Sequence, residues 1–296
     1  MKFLVSGSTG MVGSALVPFL TSGGHSVTRL VRSAAGKNEA RWDPAGGAID
    51  AAALEGHEAV VHLAGENIAG RWSPEKKARI RDSRVKGTRL LAEALGRLAQ
   101  PPKVLVAASA IGYYGDRGDA LLREDSVSGS GFLAEVAREW EGATAPATAR
   151  GIRVVNLRIG VVLSRRGGAL AKMLLPFKLG AGGVVGSGKQ HWSWVALDDL
   201  VEIIFFAATT DSLKGPVNAV SPKPVTNYKF TKLLGRVLRR PTIFPMPAFA
   251  ARLVLGEMAD ELLLASTKVE PAKLVAAGYP FRFPELDGAL RHALKR

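Results

Sequence analysis

The chain has 296 residues, of which 47% are hydrophobic and 22% charged, and this is the composition of a folded globular protein. Because cysteine is absent, disulfides, thiol catalysis and cysteine metal sites are excluded. The formal net charge is +14. The basic residues are nevertheless scattered and no run interleaves them with aromatics, so we expect a basic surface and no nucleic-acid partner.

The sequence shows no pattern of a targeting signal or a membrane span. Met1 leads directly into an apolar strand pattern instead of a basic region, an apolar stretch and a cleavage site. No apolar run reaches the roughly 18 residues that a membrane helix requires. We therefore predict a cytoplasmic protein without a membrane partner, which is either a monomer or a homodimer.

Short apolar runs alternate with helical patterns along the first half of the chain. The predicted helices cover residues 11–22, 74–98 and 131–141. The predicted strands are the runs KFLVSG, SVTRLVR, AVVHLAG, KVLVAAS and IRVVNLRIG. This alternation predicts an α/β fold built on a doubly wound parallel sheet.

The pattern changes after Arg158. Residues 164–190 are rich in glycine, a helix is predicted to start near Thr226, which can cap it, and the tail has short helical patterns separated by prolines. We predict a nucleotide-binding domain over residues 1–160, with contributions from about residues 190–220. The remaining residues, 161–296, are predicted to form a smaller, mostly helical region on the substrate side.

A glycine-rich segment, VSGSTGMVGSAL, joins the first predicted strand to the first predicted helix. In this context glycines allow a tight turn and a close approach of the backbone to a pyrophosphate, which the helix N-terminus attracts. A plain strand–helix turn is the alternative. The predicted cofactor-binding residues of this loop are Gly7, Ser8, Thr9, Gly10, Met11, Val12 and Gly13.

The end of the second predicted strand bears on the choice of cofactor. An acidic residue there would bind the ribose 2′-OH of NAD, but this chain has Val31 and then Arg32. An arginine at this place can bind the 2′-phosphate of NADP. We therefore predict NADP in preference to NAD, with a simple surface arginine as the alternative.

Arg84 is the most informative charged residue in the predicted helix over residues 74–98. It shares one helical face with Ile80, Leu91 and Gly87. A buried guanidinium is costly unless it is paired. Its partner could be an anion of the cofactor or substrate, or an acidic side chain in an internal ion pair, and the sequence leaves both open.

Two further groups of residues are candidates for chemistry or substrate binding. ASAIGYYGDRG places Ser109, Tyr113 and Tyr114 after a central strand, where a tyrosine can act as an acid if a cation lowers its pKa. GKQHWSWVALDDL brings together Gln190, Trp192 and Trp194, which suit a pocket wall. Packing of both groups is the alternative. The histidines have no metal-ligand spacing, so we expect no metal site.

With these segments in place, the chain resembles the extended short-chain dehydrogenase/reductase superfamily, which includes the nucleotide-sugar epimerases. It is most similar to an atypical branch, the epimerase family proteins with a DUF1731-type C-terminal segment. The resemblance runs nearly end to end. It rests on VSGSTGMVGSAL, HLAGENIAGRWSPEKKARIRDSRVKGT, SAIGYYG, RIGVVLSRRGGALAKMLLPFKLGAGGVVGSGKQHWSW and GPVNAVSPKPVTN.

The resemblance implies a Rossmann domain with NAD(P). It implies that Ser109 lies near the nicotinamide ribose and that Arg84 occupies a position that is usually asparagine. It also implies a Tyr-x-x-x-Lys pair on the helix over residues 131–141, where this chain has Phe132 and Val136. A shift by one residue gives Leu133 and Ala137, and Ala110 stands where a serine or threonine is usual. The further residues expected beside the cofactor are Leu63, Ala64, Gly65 and Ala108.

Two hypotheses follow. The first is an NADP-dependent oxidoreductase or epimerase-like enzyme that acts on an unknown small molecule, with Tyr113 or Tyr114 as the acid–base group and Arg84 as an electrostatic stabiliser. The second is a non-catalytic NADP-binding protein with a regulatory or redox-sensing role, linked to cell division. The absent tyrosine and lysine favour the second hypothesis, and the cluster around Trp192 favours the first.

Overall fold

A twisted, largely parallel sheet forms the centre of the computed structural model, which describes residues 1–33 and 35–296. Among these residues the sheet has eight strands in the order β12-β8-β6-β5-β1-β2-β3-β4, and only β4 is antiparallel to its neighbour. Its strands are β1 Lys2–Ser6, β2 Ser26–Val31, β3 Glu39–Asp43, β4 Ala48–Ile49, β5 Ala59–His62, β6 Val104–Ala110, β8 Arg153–Ile159 and β12 Gly215–Ala219.

The helices cover both faces of this sheet and form much of the C-terminal region. They are α1 Gly13–Ser22, α2 Pro74–Arg97, α3 Phe132–Gly142, α4 Ala145–Ala149, α5 Gly168–Lys178, α6 Leu197–Thr209, α7 Asn227–Leu238, α8 Ala248–Leu255, α9 Ala272–Ala276 and α10 Leu286–Leu294. Short two-strand ladders join β7 Leu121–Leu122 to β14 Lys268–Val269, β9 Val161–Leu163 to β11 Trp194–Ala196, and β10 His191–Trp192 to β13 Val225–Thr226.

The predicted Rossmann-type α/β fold is confirmed, and its central strands coincide with the apolar runs of the sequence. Phe3, Leu4 and Val5 of β1 are fully buried because helices cover both faces of the sheet. The cap predicted at Thr226 is also present: its hydroxyl accepts a hydrogen bond from the backbone N–H of Lys229. Helix α1 begins at Gly13 rather than Met11, since residues 7–12 form the loop before it.

Strand order brings the candidate site to one edge of the sheet. The strands β2 and β3 follow β1 on one side, whereas β5, β6 and β8 lie on its other side. Ser6 at the end of β1 is in register with His62 at the end of β5. This reversal of strand order opens a crevice at the carboxyl ends of β1 and β5, where open parallel sheets bind ligands.

The C-terminal region shares a hydrophobic core with the nucleotide-binding region. Leu200 and Ile204 of α6 and Tyr279 near the C-terminus pack in the same buried cluster as Phe3 and Val106. A separate cluster lies around Trp192, Trp194 and Phe230. Within the two described ranges, no helix combines the length and apolar character needed to cross a membrane. The boundary at residue 160 stays a prediction.

Candidate functional site

The loop between β1 and α1 is packed so tightly that Gly7 and Gly13 have no room for a side chain. Gly7 has a φ of +65°, and a Cβ on it would lie 2.7 Å from the carbonyl carbon of Leu63. A Cβ on Gly13 would lie 2.7 Å from Ser8 Cα. In the described part of the chain no side chain caps α1. The loop therefore offers a bare helix N-terminus that a phosphate can approach closely.

The turn after β5 lies directly against this loop. Leu63 N–H donates to both the carbonyl and the hydroxyl oxygen of Ser6, at 3.3 and 3.2 Å. A Cβ on Gly7 would also lie 2.8 Å from the backbone nitrogen of Ala64. Leu63 and Ala64 are thus neighbours of the glycine loop, and Gly65 follows them directly.

A buried chain of hydrogen bonds fixes the ends of β1 and β5. Ser6 Oγ lies 2.6 Å from His62 Nδ1, and His62 Nε2 lies 3.0 Å from Thr88 Oγ1. The indole N–H of Trp140 donates to the same threonine hydroxyl at 2.9 Å. Burial lowers the pKa of His62 to about 4, so the ring is neutral near pH 7. This neutral chain anchors α2 and α3 to the crevice.

Arg84 of α2 reaches the same turn, where it contacts backbone carbonyl groups. Its Nη1 donates to the carbonyl oxygens of Glu66 and Ile80, each at 3.1 Å. Its guanidinium carbon is 5.0 Å from the ring centre of Trp140 and would lie 3.3 Å from a Cβ on Gly65. Burial lowers the pKa of Arg84 to about 10, which still leaves it charged near pH 7.

No carboxylate forms an ion pair with Arg84 among residues 1–33 and 35–296. Glu66, whose charge raises the pKa of Arg84, is instead paired with Lys76 Nζ at 2.6 Å. The internal ion pair is therefore absent from the described residues. A cation that is half-buried and bonded to neutral carbonyl oxygens leaves its charge available to an anion in the crevice.

A group of basic residues surrounds Glu66 near the end of β2. A hydrogen bond from Lys76 lowers the pKa of Glu66, and the charges of Arg79 and Arg32 act in the same direction. Both arginines are exposed. Arg32 was predicted from the sequence but Arg79 was not, because an arginine beside two lysines at the start of α2 does not stand out in the sequence.

Ser109 lies at the end of β6 beside a buried ion pair that sequence reasoning missed. Arg158 Nε and Nη2 donate to the two carboxylate oxygens of Glu141 at 2.8 and 2.9 Å, and Ser109 Oγ donates to Oε1 at 2.7 Å. Burial alone would lower the pKa of Arg158, but hydrogen bonds and the charge of Glu141 raise it above its ordinary value. The neighbouring Ala108 is also buried in β6.

The structure argues against Tyr114 as an acid–base group. The ring is fully buried, and the hydroxyl donates to Asn218 Oδ1 at 2.7 Å while accepting from Arg158 Nη1 at 2.9 Å. Burial raises the pKa of Tyr114 to about 12, although Arg158 acts in the opposite direction. The nearby cation was expected to lower the pKa of Tyr114, but the effect of burial is larger. This favours a packing role for Tyr114.

Tyr113 differs from Tyr114 in its burial and in the hydrogen bonding of its hydroxyl. The residue is half-buried, and its hydroxyl forms no hydrogen bond with any other residue that the structure describes. Its ring lies against the guanidinium of Arg158, whose carbon is 3.5 Å from the ring centre. Tyr113 therefore combines a fixed ring with a free hydroxyl, just beyond the carboxyl end of β6.

Helix α3 presents an apolar face, as its sequence predicts. Phe132 and Val136 are buried in a cluster with Ile80 of α2, and the edge of Trp72 packs on Phe132. The carboxylate of Glu261, 129 positions further along the chain, accepts hydrogen bonds from the backbone N–H groups of Phe132 and Leu133 at 2.9 and 3.0 Å. A residue of the C-terminal region thus caps this helix.

Gln190, Trp192 and Trp194 are packed in the interior rather than lining an open pocket. All three side chains are buried. The amide of Gln190 donates to the carbonyl oxygens of Val185 and Leu263 at 2.9 and 3.0 Å, and both indole N–H groups also donate to backbone carbonyls. Their donors are satisfied within the fold, which favours packing over the substrate-binding role expected from the sequence.

Comparison with protein families matches nearly the whole chain. Residues 3–220 match the NAD dependent epimerase/dehydratase family. Residues 246–293 match a domain of unknown function, DUF1731. The epimerase family protein Mb2239 of Mycobacterium bovis is 43% identical over 294 residues, which cover 99% of this chain and 97% of that protein.

Two solved structures are similar to this one along its length. The crystal structure of human epimerase family protein SDR39U1 with NADPH has a TM-score of 0.90 and 36% identity, with 100% of both chains covered. A nucleoside-diphosphate sugar epimerase from Corynebacterium glutamicum has a TM-score of 0.83 and 39% identity. That alignment covers 99% of this chain and 58% of the Corynebacterium chain.

Proposed function

As the chain belongs to the NAD dependent epimerase/dehydratase family, we propose that it binds NADPH and uses it as an atypical oxidoreductase or epimerase acting on a small molecule. The observation that supports this most directly is that three features follow the carboxyl ends of the neighbouring strands β1, β5 and β6. These are the glycine loop, the turn at Leu63–Gly65 and the free hydroxyl of Tyr113. A reversal of strand order at this edge favours ligand binding there.

The residues around the crevice fit a dinucleotide. The loop over residues 7–13 would hold the pyrophosphate, because a side chain at Gly7 or Gly13 would fill the space that the phosphates need. The turn at Leu63–Gly65 would run beside the cofactor, and Arg84 would face one of its anionic groups. The crystal structure of the human relative with NADPH supports the choice of cofactor.

The charges near the end of β2 favour NADPH over NADH. Arg32 and Arg79 both act on Glu66 from exposed positions, and Lys76 already neutralises that carboxylate. A second anion placed among these groups would meet two unpaired guanidinium groups, which suits the 2′-phosphate of NADPH. The 2′-hydroxyl of NADH would gain little from them.

Replacing Arg32 by aspartate should weaken NADPH binding by about 10- to 100-fold and leave NADH binding unchanged or stronger. The change removes a charged hydrogen-bond donor, worth about 1.5–3 kcal/mol, and puts a repelling charge near the 2′-phosphate. Titration of both cofactors by fluorescence measures the ratio. Arg97→Asp, at the far, exposed end of α2, is the matched control. An equal loss of both cofactors in Arg32→Asp would contradict the NADP assignment.

The proposed chemistry uses few protein groups. Bound NADPH supplies the hydride. Tyr113 would donate a proton to a substrate carbonyl oxygen, since its hydroxyl is free and its ring is held by Arg158. Helix α3 has neither tyrosine nor lysine in its sequence, and Phe132 and Val136 would form an apolar floor beside the nicotinamide.

Replacing Tyr113 by phenylalanine should lower NADPH-dependent turnover by about 100-fold while NADPH binding stays the same. The phenol is the only group that changes, and it is expected to contact substrate rather than cofactor. The measurement is NADPH oxidation with a panel of aldehydes, ketones and nucleotide sugars. Tyr228→Phe, which changes an exposed ring, is the control. If no compound in the panel accelerates NADPH oxidation by the unmodified protein, the non-catalytic, redox-sensing alternative replaces the enzyme proposal.

A further inference from the structure

Two long segments of the C-terminal region carry only positive charges. Residues 164–197 and 212–256 contain no aspartate or glutamate and together have thirteen lysines and arginines. Elsewhere in the chain the two signs of charge are mixed, as the many surface ion pairs show. A strong local excess of one sign is a property that attracts a partner of the opposite charge.

These two segments are in contact in the fold. Arg240 Nε donates to the carbonyl oxygen of Lys178 at the end of α5, at 2.9 Å. Met246 N–H donates to Val184 O at 2.8 Å. Helix α8 follows at once and packs on the same segment, since Ala251 and Val185 share a buried cluster. Helix α5, residues 240–246 and α8 thus form one continuous region.

The outer surface of this region is unusually apolar. Leu175 and Leu179, four residues apart at the end of α5, are exposed, as are Phe249 and Leu253 in α8. We use the name apolar face for six of the exposed side chains of this region, each with an exposed fraction between 62% and 75%. Its members are Leu175, Leu179, Ile243, Phe244, Phe249 and Leu253. Large contiguous apolar patches on a protein surface mark an interaction site.

The side chains of the apolar face and the basic residues around it indicate what kind of partner binds there. A second copy of the chain would bring like charges together around the apolar face, which is unfavourable. Nucleic acid would favour stacking aromatics, whereas four of the six members are aliphatic. Aliphatic side chains enter the boundary between headgroups and acyl chains, while lysine and arginine bind lipid phosphates. We propose that the apolar face binds the surface of bilayers that contain anionic lipids.

The basic residues are placed to assist such binding. Lys172 and Lys178 lie on α5 next to the exposed leucines, and both are exposed. Arg252 lies between Phe249 and Leu253 on α8, paired with Asp260 at 2.9 Å. The lysines have no such acidic neighbour among the described residues, so they remain available to phosphate groups. Each basic residue near an anionic surface strengthens binding about fivefold.

The test is co-sedimentation of the 296-residue chain with vesicles of phosphatidylglycerol and phosphatidylcholine, compared with vesicles of phosphatidylcholine alone. The unmodified protein should bind the mixed vesicles and not the neutral ones. Phe249→Ser with Leu253→Ser should reduce the partition coefficient about tenfold or more, because it removes two inserted side chains. Val127→Ser with Val275→Ser removes two exposed apolar side chains elsewhere and should leave binding unchanged.

A charge variant completes the test. Lys172→Glu with Lys178→Glu should also reduce binding to the mixed vesicles, whereas Lys103→Glu with Lys295→Glu, which changes the net charge equally at exposed sites elsewhere, should have a small effect. Equal losses in the two charge variants would overturn the proposal, since binding would then follow net charge alone. So would absence of vesicle binding, or vesicle binding that Phe249→Ser with Leu253→Ser leaves intact. Thermal melts of the variants confirm that each is folded.

Discussion

Replacing Glu141 by alanine should destabilise the protein by about 3–5 kcal/mol, because it leaves the buried charge of Arg158 without a counter-ion. The exposed fractions of the two side chains are 3% for Arg158 and 11% for Glu141. Both carboxylate oxygens are used by the guanidinium, and Oε1 also accepts from Ser109. Water cannot reach the site well enough to replace these bonds. Urea denaturation measures the loss as a lower midpoint at an unchanged slope.

Two matched variants distinguish the loss of stability caused by an unpaired buried charge from the loss caused by any change in α3. Glu139→Ala removes the neighbouring acid, which pairs with Arg81 at 3.4 Å on the exposed side of the helix, and should cost less than about 1 kcal/mol. Glu141→Leu combined with Arg158→Met removes both charges and should recover much of the stability. If the double variant were as unstable as Glu141→Ala, the ion pair would not be the cause.

The fold was predictable where the sequence pattern is local and strong. The runs that became β1, β5, β6 and β8 are apolar throughout, which is what burial on both faces of a sheet requires. The edge strand β12 was not predicted, since Gly215 and Pro216 at its start are typical of turns. Helix α5 was not predicted, because glycines lie around it and Pro176 lies within it.

The candidate site was only partly predictable, for a different reason. The glycine loop is a contiguous motif, so its role could be inferred from spacing. The partner of Arg158 could not be inferred in this way, because Glu141 lies on a helix 17 residues earlier and contacts the strand only in the folded state. A signal did exist: an arginine within the apolar run VVNLRI cannot be buried without a counter-ion. No such signal marks Glu261, whose role depends on how the C-terminal region packs against α3.

The sequence could not decide the partner of Arg84 for the same reason. Helical periodicity correctly predicted that the residue faces inward, but the position of carboxylates around it depends on the tertiary structure. The structure shows carbonyl oxygens of Glu66 and Ile80 in contact with the guanidinium, and Glu66 turned toward Lys76. The charge is held in position by neutral groups, next to the turn that borders the glycine loop.

Replacing Arg84 by methionine should therefore lower NADPH affinity by about 2–5 kcal/mol and leave the stability of the ligand-free protein unchanged or higher. Methionine keeps most of the stem that packs near Trp140 and removes a charge whose burial is unfavourable, as its lowered pKa shows. The substitution therefore removes a charged partner from NADPH, whereas no charged group among the described residues of the protein loses its partner. Thermal melts and cofactor titrations of the same preparations measure both quantities.

The control for this variant lies on the same helix. Arg81 is bonded at the exposed surface to Glu135 and lies near Glu139, at 3.3 and 3.4 Å, so Arg81→Met should leave NADPH affinity unchanged and alter stability by less than about 1 kcal/mol. A loss of about 3–5 kcal/mol in the ligand-free Arg84→Met protein, with NADPH affinity intact, would mean that Arg84 serves the fold alone. Loss of affinity confined to Arg84→Met would instead show that this cation of α2 is part of the cofactor site.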